Sequence, residues 1–574
     1  MSTNFYYVLL LFLMPVFVQA QIIGTTGEKD TLYIKEVVII ASRFQERKED
    51  VSQQVELVHA NRLQQLNAAS TADVLQQTPG ILVQKSQLGG GSPMLRGFEA
   101  SRVLLVVDGV RLNNAIYRAG HLQNAITMDN LALDRVEVGF GPGGVSYGSD
   151  ALGGVIHFHT KDPQLNNTSL NALTRYSSAA NESTISFNVN YGNRNKASFT
   201  NITWSSFGDL RQGAYQLKTD TWKTPFYVEH QTTDVVNTND NPYVQKKSGY
   251  QQLDILQKVL FKGNEKLAHL LNFQFSTSTD VPRYDRLAQL QSNGTPQYAE
   301  WYYGPQKRLL GSYQLQFKGL QGLFNQSNIT AAYQFIEESR HDRRLNNSSK
   351  NNRTEMLNIF SLNADFNKTL KKHELSYGLE LVNNDVNSSA HALNINTAIK
   401  TSLSTRYPDG GSQLFSAGIF FSHRWEINKK WLLADGLRLS YSDLNSKFRD
   451  QTFFPFPFNT VTQNNTALNG NVSLLYKPDN NWHLSILGST GFRVPNVDDL
   501  SKVFESVPGS IIVPNPDLKP ERTYNTEMTI GRRFDNQTTF SMNGFYTWYE
   551  DAITTQPFLF NGQSAMMYNG VLSN

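Results

Sequence analysis

Ile419-Phe-Phe421-Ser-His-Arg-Trp425-Glu-Ile-Asn428-Lys429-Lys430-Trp431-Leu-Leu433-Ala-Asp-Gly-Leu437-Arg-Leu439-Ser-Tyr441 reads as two strands joined by a turn. Ile419, Phe421 and Trp425 lead into Asn428-Lys429-Lys430, and Trp431, Leu433, Leu437, Leu439 and Tyr441 lead away from it. A period of two puts these side chains on one face of a pleated strand and the polar residues between them on the other. The pattern recurs with Leu253, Ile255, Val259 and Phe261 before the turn Gly263-Asn264-Glu265-Lys266, and with Leu271, Phe273 and Phe275 after it. A third copy runs Val472, Leu474, Tyr476, then Pro478-Asp479-Asn480-Asn481, then Trp482, Leu484 and Ile486. Each hairpin carries an aromatic residue beside its turn, where an interfacial girdle would place it. Short polar turns at one end and long Asn- and Ser-rich connections at the other are the pattern of an all-β transmembrane barrel. A soluble sandwich or propeller would show neither this asymmetry nor such evenly long strands.

Composition agrees. Of the 574 residues, 34 are Phe, 25 Tyr and 7 Trp, while only 18% are charged, against about a quarter in an ordinary soluble domain. After the first twenty residues no apolar run reaches the ~18 that a spanning helix needs. The chain has no cysteine, which excludes disulfides, thiolate metal sites and cysteine nucleophiles. A net charge of +3, without a basic tract, gives no footprint for nucleic acid.

Upstream of residue 165 the texture differs. Val8 to Val18 have the length of a signal h-region, with Val18-Gln19-Ala20 as a cleavage site, so residues 1–20 are expected to be a signal peptide and the protein to be exported. Residues 21–45 form a leader whose Glu36-Val37-Val38-Ile39-Ile40-Ala41 is a β-branched run, a free strand suited to pairing with another protein's sheet edge. Residues 46–164 read as a small α/β unit. Ser70 caps a helix from Thr71 to Gln77 that ends at Pro79-Gly80; strands follow at Ile81–Val83, Arg102–Val107, Arg135–Val138 and Ile156–Thr160. Seven glycines within 139–154 predict a loop and no helix. That context argues against both the G-x-G-x-x-G beginning at Gly139 and the G-x-S-x-G around Ser146, since each motif needs a helix behind it. His157 and His159 share a strand face, and without a third ligand nearby they read as a packed or solvated pair rather than a metal site. Arg96, if this unit sits inside the barrel, needs a carboxylate partner on the wall.

Five motifs in order identify a resemblance: Asp73-Val-Leu75 through Thr78-Pro79-Gly80-Ile81, Leu95-Arg96-Gly97-Phe98, Val107-Asp108-Gly109-Val110-Arg111, Arg135-Val136-Glu137-Val138, and Tyr147-Gly148-Ser149-Asp150-Ala151-Leu152-Gly153-Gly154. Together they resemble the plug domain of TonB-dependent outer-membrane receptors. The resemblance implies a plug over 46–164 inside a transmembrane β-barrel over 165–574. It also implies that Glu36 to Ala41 are the Ton box, contacted by TonB of the inner-membrane energy-coupling complex. Cell outer membrane and its lipid are then the expected surroundings, and import without bond chemistry the expected activity, so no enzyme is expected.

Phe492-Arg493-Val494-Pro495 followed by Asn515-Pro516-Asp517-Leu518 is similar to the paired boxes of haem and haemoglobin receptors, as is Val110 to Asn114 leading to His121. This resemblance implies haem, a haemoprotein or another ferric chelate as transported ligand, with no resident cofactor or metal. Tyr117, Arg118, His121, Phe492, Arg493 and Asn515 are its candidate ligand-binding residues. The sequence has no histidine from Arg493 to Asn515, where the subfamily pattern carries one, so His121 is the axial ligand it offers. A siderophore or cobalamin receptor of the same architecture, and a haemoprotein-binding adhesin without import, are the alternatives. The family's barrel implies 22 strands; at roughly 23 residues per strand and connection, residues 165–574 provide about 18, so the barrel is expected to be truncated at its C-terminus.

Overall fold

The computed structural model describes residues 36–574 apart from 114, 118–124, 214–224, 320–321, 454–457, 503, 508–509, 535–537, 558, 560–561, 569–570 and 574. The signal peptide expected at 1–20 and the leader residues 21–35 lie outside the described residues, as do Arg118 and His121.

The N-terminal unit is built on a five-stranded mixed sheet. Its strands are β3 (Val55–His59), β7 (Val103–Val107), β8 (Val110–Arg111), β9 (Leu133–Phe140) and β10 (Gly154–Thr160), in the order β3-β9-β10-β7-β8. Only β7 and β10 run parallel. Every residue of β7 and β10 is buried, so their apolar runs sit between two packed layers. Ahead of this sheet lie β1 (Val37–Val38), β2 (Glu46–Arg47) and α1 (Ala60–Leu66). The expected helix is α2 (Thr71–Gln76), capped by Ser70 Oγ accepting from the Asp73 amide. Strands β4 (Ile81–Gln84), β5 (Ser92–Leu95) and β6 (Phe98–Glu99) form a small sheet beside it. The glycine-rich stretch departs from the loop expected. Gly139 and Phe140 continue β9, and Gly144–Tyr147 make a single helical turn, α3, ended by Gly148 at φ +73°. Glycines admitted close packing there: a Cβ on Gly144 would lie 2.5 Å from the Thr490 carbonyl oxygen of the surrounding wall.

Around this plug eighteen strands join in one sheet, fifteen of them 10–22 residues long among the described residues. We number the long ones β11 (Thr168–Ser177), β12 (Glu182–Gly192), β13 (Lys196–Phe207), β14 (Tyr250–Lys262), β15 (Leu267–Ser278), β16 (Lys307–Lys318), β17 (Gln326–Arg344) and β18 (Ser349–Leu370). The row continues with β19 (His373–Asn394), β20 (Ser412–Glu426), β21 (Trp431–Lys447), β22 (Thr460–Tyr476), β23 (Trp482–Arg493), β24 (Glu521–Arg533) and β25 (Thr539–Glu550). Each pairs antiparallel with its sequence neighbours, and among the described residues β11 and β25, at the two ends of the row, do not pair with each other.

The strands are inside-out relative to a soluble protein. On β21, Leu437 and Leu439 are exposed, whereas Arg438 and Ser440, which alternate with them, are buried. Lipid can receive the first set; only a filled lumen can receive the second. Beside the short turns, Trp431 stacks on Tyr476 at 4.3 Å between ring centres, part of the girdle read from the sequence.

Candidate functional site

Residues 36–41 are not a free strand. Val37 and Val38 pair with Arg47 and Glu46, and Val38 and Ile40 are buried among Val51, Val55, Leu104, Tyr147 and Val155. A β-branched run with one apolar face can satisfy that face inside its own fold as well as on a partner's edge, and here it does the first. The backbone is held too. The Ile39 and Ile40 amides donate to Glu137 Oε2 at 2.8 and 2.9 Å, and Ser146 Oγ donates to the Ala41 carbonyl at 2.6 Å. This contact gives Ser146 a structural task in place of the nucleophile role its motif suggests.

Glu137 is the hub. Its Oε1 takes Arg135 at 2.9 Å and lies 3.0 Å from His159 Nε2. Burial pushes this carboxyl upward, but the His159 contact and the Ile39 amide outweigh it and hold it at about 2. The His157 and His159 ring centres lie 3.9 Å apart with the planes tilted by 30°, and His157 Nε2 accepts the Gly109 amide at 2.9 Å. Burial pushes His157 well below its ordinary value, so it stays neutral. They are a packed pair, and among the described residues no His/Cys/Asp/Glu group could hold a metal ion.

Just beyond this segment, Arg43 adopts φ +65° and turns into the barrel. Its Nε donates to the Ser146 carbonyl at 2.7 Å, and its guanidinium pairs with Asp365 at 3.1 Å and with Glu380. Glu380 is shared with Arg111 at 3.3 Å and Arg438 at 3.2 Å. Three guanidinium groups from two plug positions and one wall strand thus converge on one buried carboxylate.

Arg96 meets the expectation placed on it. Nη1 donates to Glu527 on β24 at 2.7 Å, Nη2 to Asn543 at 3.1 Å, and the guanidinium lies 4.0 Å from the Phe545 ring centre. Arg102 forks onto Glu521, the first residue of β24, at 2.6–3.2 Å. The sequence reading did not single out Glu380, Glu521 or Glu527. Its available signal was a lone carboxylate at an inward position of a long strand.

The candidate ligand residues divide. Arg493, 1% exposed, gives its guanidinium to Glu521 and to Asp499. Phe492 is buried, its carbonyl accepts the Asp150 amide at 3.1 Å, and the Val494 amide donates to Ser149 at 3.1 Å. This box is a clasp between wall and plug. It continues into α4 (Val497–Ser501), whose cap residue Asn496 donates to the Tyr117 carbonyl at 2.7 Å, while the Val497 amide donates to the Ala115 carbonyl at 3.0 Å. Tyr117, another candidate ligand-binding residue, is likewise buried, with its hydroxyl donating to Glu338. Burial pushes its phenol well above the ordinary range and the Glu338 charge adds to this, so it remains a donor. Tyr407 completes the clasp, donating to Asp498 at 2.6 Å and lying 2.9 Å from the Ile116 carbonyl oxygen. Among the described candidates only Asn515 is exposed, and its Oδ1 accepts the Asp517 amide at 3.0 Å. Tyr117→Phe should cost about 1–3 kcal/mol, because Glu338 keeps its burial and loses its donor. Faster hydrogen exchange at the Val497 amide checks this; an unchanged rate would place the apex restraint elsewhere.

A plug pinned inside a barrel at both ends matches known proteins along most of its length. The model for the TonB dependent receptor-like β-barrel covers residues 257–569, and that for the TonB-dependent receptor plug domain covers 47–155. The chain belongs to the TonB-dependent receptor family. This TonB-dependent receptor is 38% identical to the vitamin B12 transporter BtuB of Vibrio vulnificus (strain CMCP6) over 155 residues, 26% of this chain and 24% of that protein. With the hemin receptor of Yersinia pestis it shares 32% over 151 residues, 26% and 22% of the two chains. The matched stretch is therefore about a quarter of either relative's length. Among solved structures, a double mutant of the Serratia marcescens hemophore receptor HasR, in complex with its hemophore HasA and heme, superposes with a TM-score of 0.67. That match covers 87% of this chain and 73% of that one at 15% identity. The copper transporter OprC gives 0.66 over 84% and 70% at 16%. At such identities the two structures speak for the fold.

Proposed function

We propose that this receptor is an outer-membrane importer of an iron-bearing ligand, haem or haem drawn from a haemoprotein, driven by TonB acting on residues 36–41. The observation that carries the reading is the double closure of the lumen. The apex clasp blocks the loop end, Arg43 and Arg111 on Glu380 tie the plug to the wall below it, Glu137 holds residues 36–41 to the plug, and passage therefore requires work done on the plug. Residues 36–41 lie at the turn end, the periplasmic side of a barrel with short periplasmic turns. Docked, their edge is covered; drawn out, it offers a strand for β-augmentation. Haem is cargo in this reading, and no resident cofactor is assigned. Likeness to hemin receptors favours haem, with His121 as its axial ligand. Cobalamin is the second reading, favoured by the 38% identity to the vitamin B12 transporter.

Deleting residues 36–41 should abolish energy-dependent accumulation of haemin while leaving haemin binding to whole cells intact. Persistent accumulation would overturn TonB coupling. A receptor that binds haemoprotein and accumulates nothing, with or without the deletion, would be the adhesin. A Soret titration of His121→Ala then separates the ligands: a saturable band weakened by the substitution supports haem, and no band in either protein points to cobalamin or a siderophore.

A further inference from the structure

One polar ladder in this receptor faces away from the lumen. On β20 and β21, the side chains that share a face with the exposed Ile419, Phe421 and Leu437 include His423 and Asp435, which pair in register. His423 Nδ1 lies 2.9 Å from Asp435 Oδ1, and His373, the first residue of β19, places its Nδ1 2.9 Å from His423 Nε2. The next residues in sequence, Glu374 and Arg424, turn the other way. They pair with each other at 2.7 Å, and Arg424 lies 3.6 Å from Asp50 of the plug. Plug contacts therefore account for Glu374 and Arg424 but not for the ladder. Acyl chains cannot receive two imidazoles and a carboxylate either, because polar groups are costly in hydrocarbon. The rings around the ladder set its level. Trp425 stacks on His373 at 5.5 Å between ring centres, and the Trp431–Tyr476 stack follows on the next strands. The ladder thus lies in the aromatic girdle, where headgroups begin.

Lysines crown the same sector. The β18–β19 turn carries Lys371 and Lys372, with Lys368 just before it, and the β20–β21 turn carries Lys429 and Lys430. These turns are neighbours, since the Glu426 amide donates to the Lys372 carbonyl at 2.8 Å and Lys372 Nζ to the Ile427 carbonyl at 2.9 Å. With adjacent strands about 4.8 Å apart, the two turns sit about 10 Å from each other. Lys371, Lys372, Lys429 and Lys430 are all exposed. Of the carboxylates beside them, Glu374 is taken by Arg424 and Asp435 by His423, which leaves Glu426 to balance the lysines. The field at this rim is therefore positive.

The ladder ends in that field. With Asp435 accepting from His423 Nδ1, and His423 Nε2 accepting from His373 Nδ1, the remaining ring nitrogen is His373 Nε2, one residue from Lys372. Toward the membrane centre the same wall is apolar, with Phe421, Leu437 and Val472 exposed. Cations at the rim, aromatic rings below them and an apolar wall beneath complement a molecule with a negative head and hydrocarbon tails.

We propose that the β18–β19 and β20–β21 turns, with His373 and His423, form a binding site for an anionic phospholipid of the periplasmic leaflet. Lys371, Lys372, Lys429 and Lys430 hold its phosphodiester beside His373, and its chains lie along Phe421 and Leu437. Free phosphate would meet the lysines but leave the apolar wall unused, so the site is assigned to the lipid. The proposal needs the barrel in a membrane with its short turns toward the periplasm, and it is independent of the cargo.

Trp425 and Trp431 allow a direct test. The receptor is placed in phosphatidylcholine nanodiscs that contain a minor share of phosphatidylglycerol brominated on its chains, or the same share of brominated phosphatidylcholine. Bromine quenches the indoles it touches, and the quenching lost in Trp425→Phe with Trp431→Phe belongs to this sector. That part should be larger for phosphatidylglycerol, and the excess should shrink at high salt. Changing Lys371, Lys372, Lys429 and Lys430 to glutamine should lower the preference by about fivefold per lysine, equivalent to about 1 kcal/mol each at an anionic surface. Lys262→Gln with Lys266→Gln, at the β14–β15 turn, should leave it unchanged. His373→Phe, which keeps a ring against Trp425, should lower the preference without altering quenching by phosphatidylcholine. Equal quenching by the two lipids overturns the site, as does an excess that survives the four lysine changes. An excess lost equally in the 262/266 variant means general surface charge, one that yields to added inorganic phosphate means a phosphate site, and one unaffected by His373→Phe removes the ladder; each overturns the assignment.

Discussion

Glu380→Ala should loosen the plug by about 3–5 kcal/mol, the range for removing one partner of a buried ion network. The reason is the count of charges left behind. Arg43, Arg111 and Arg438 all point at this carboxylate, and without it Arg43 retains Asp365 at 3.1 Å and Arg111 retains Asp150 at 2.9 Å. Arg438 loses its one ion pair and is left buried beside two other cations. Glu380→Gln keeps an acceptor but not the charge, and should fall between the two. Protease nicking of the plug in folded barrels and the denaturant midpoint measure the effect. Removing Arg438 together with Glu380 should cost less than the sum of the single changes, because the orphaned cation goes with its partner. Equal plug protection in the Glu380→Ala and unsubstituted proteins would mean that the plug's other wall contacts, such as Arg96 on Glu527 and Arg102 on Glu521, hold it without Glu380.

Much of this architecture is written locally. The strands follow from alternation, as in Leu437 and Leu439 against Arg438 and Ser440, and the turns from residues such as Asn428 or Asp479 that bond their own backbone two residues on. The α2 cap and the β7–Asp108–Gly109 turn are legible for the same reason. The glycine-rich stretch misleads because seven glycines look like a loop, whereas close approach of α3 to the Thr490 carbonyl is what they provide. Arg96 was legible as a charge in need of a partner; Glu527, 431 residues away, was not. Nothing local distinguishes Glu380 or Glu521 from other inward polar positions until the plug is in place. The Phe492-Arg493 box and Tyr117 are a further case. Recognition residues and residues that clasp the plug draw on the same types, an arginine and an aromatic near a loop, and only burial separates them.

Undocking of residues 36–41 should follow from a single change at Glu137. Its carboxylate takes the Ile39 and Ile40 amides, and hydrogen bonds to a charged acceptor are worth about 1.5–3 kcal/mol each. Glu137→Ala should thus raise the undocked population by about two orders of magnitude or more, at 1.4 kcal/mol per tenfold. With no cysteine in the chain, the maleimide labelling rate of Val38→Cys reports it directly, since Val38 is fully buried when docked. The pH dependence identifies the responsible group. A carboxyl lowered from 4.5 unfolded to about 2 folded contributes stability that is complete above about 4.5 and is lost as pH falls toward 2. Labelling should be flat from about pH 8 to pH 5 and climb below about 4.5, and Glu137→Ala should abolish the climb by starting high. A histidine latch would behave differently, releasing between about pH 7 and 5.5 as an ordinary imidazole charges. Burial keeps His157 neutral through that interval, so a rise there, in a chain that still carries Glu137, would mean that a group other than this carboxylate controls residues 36–41.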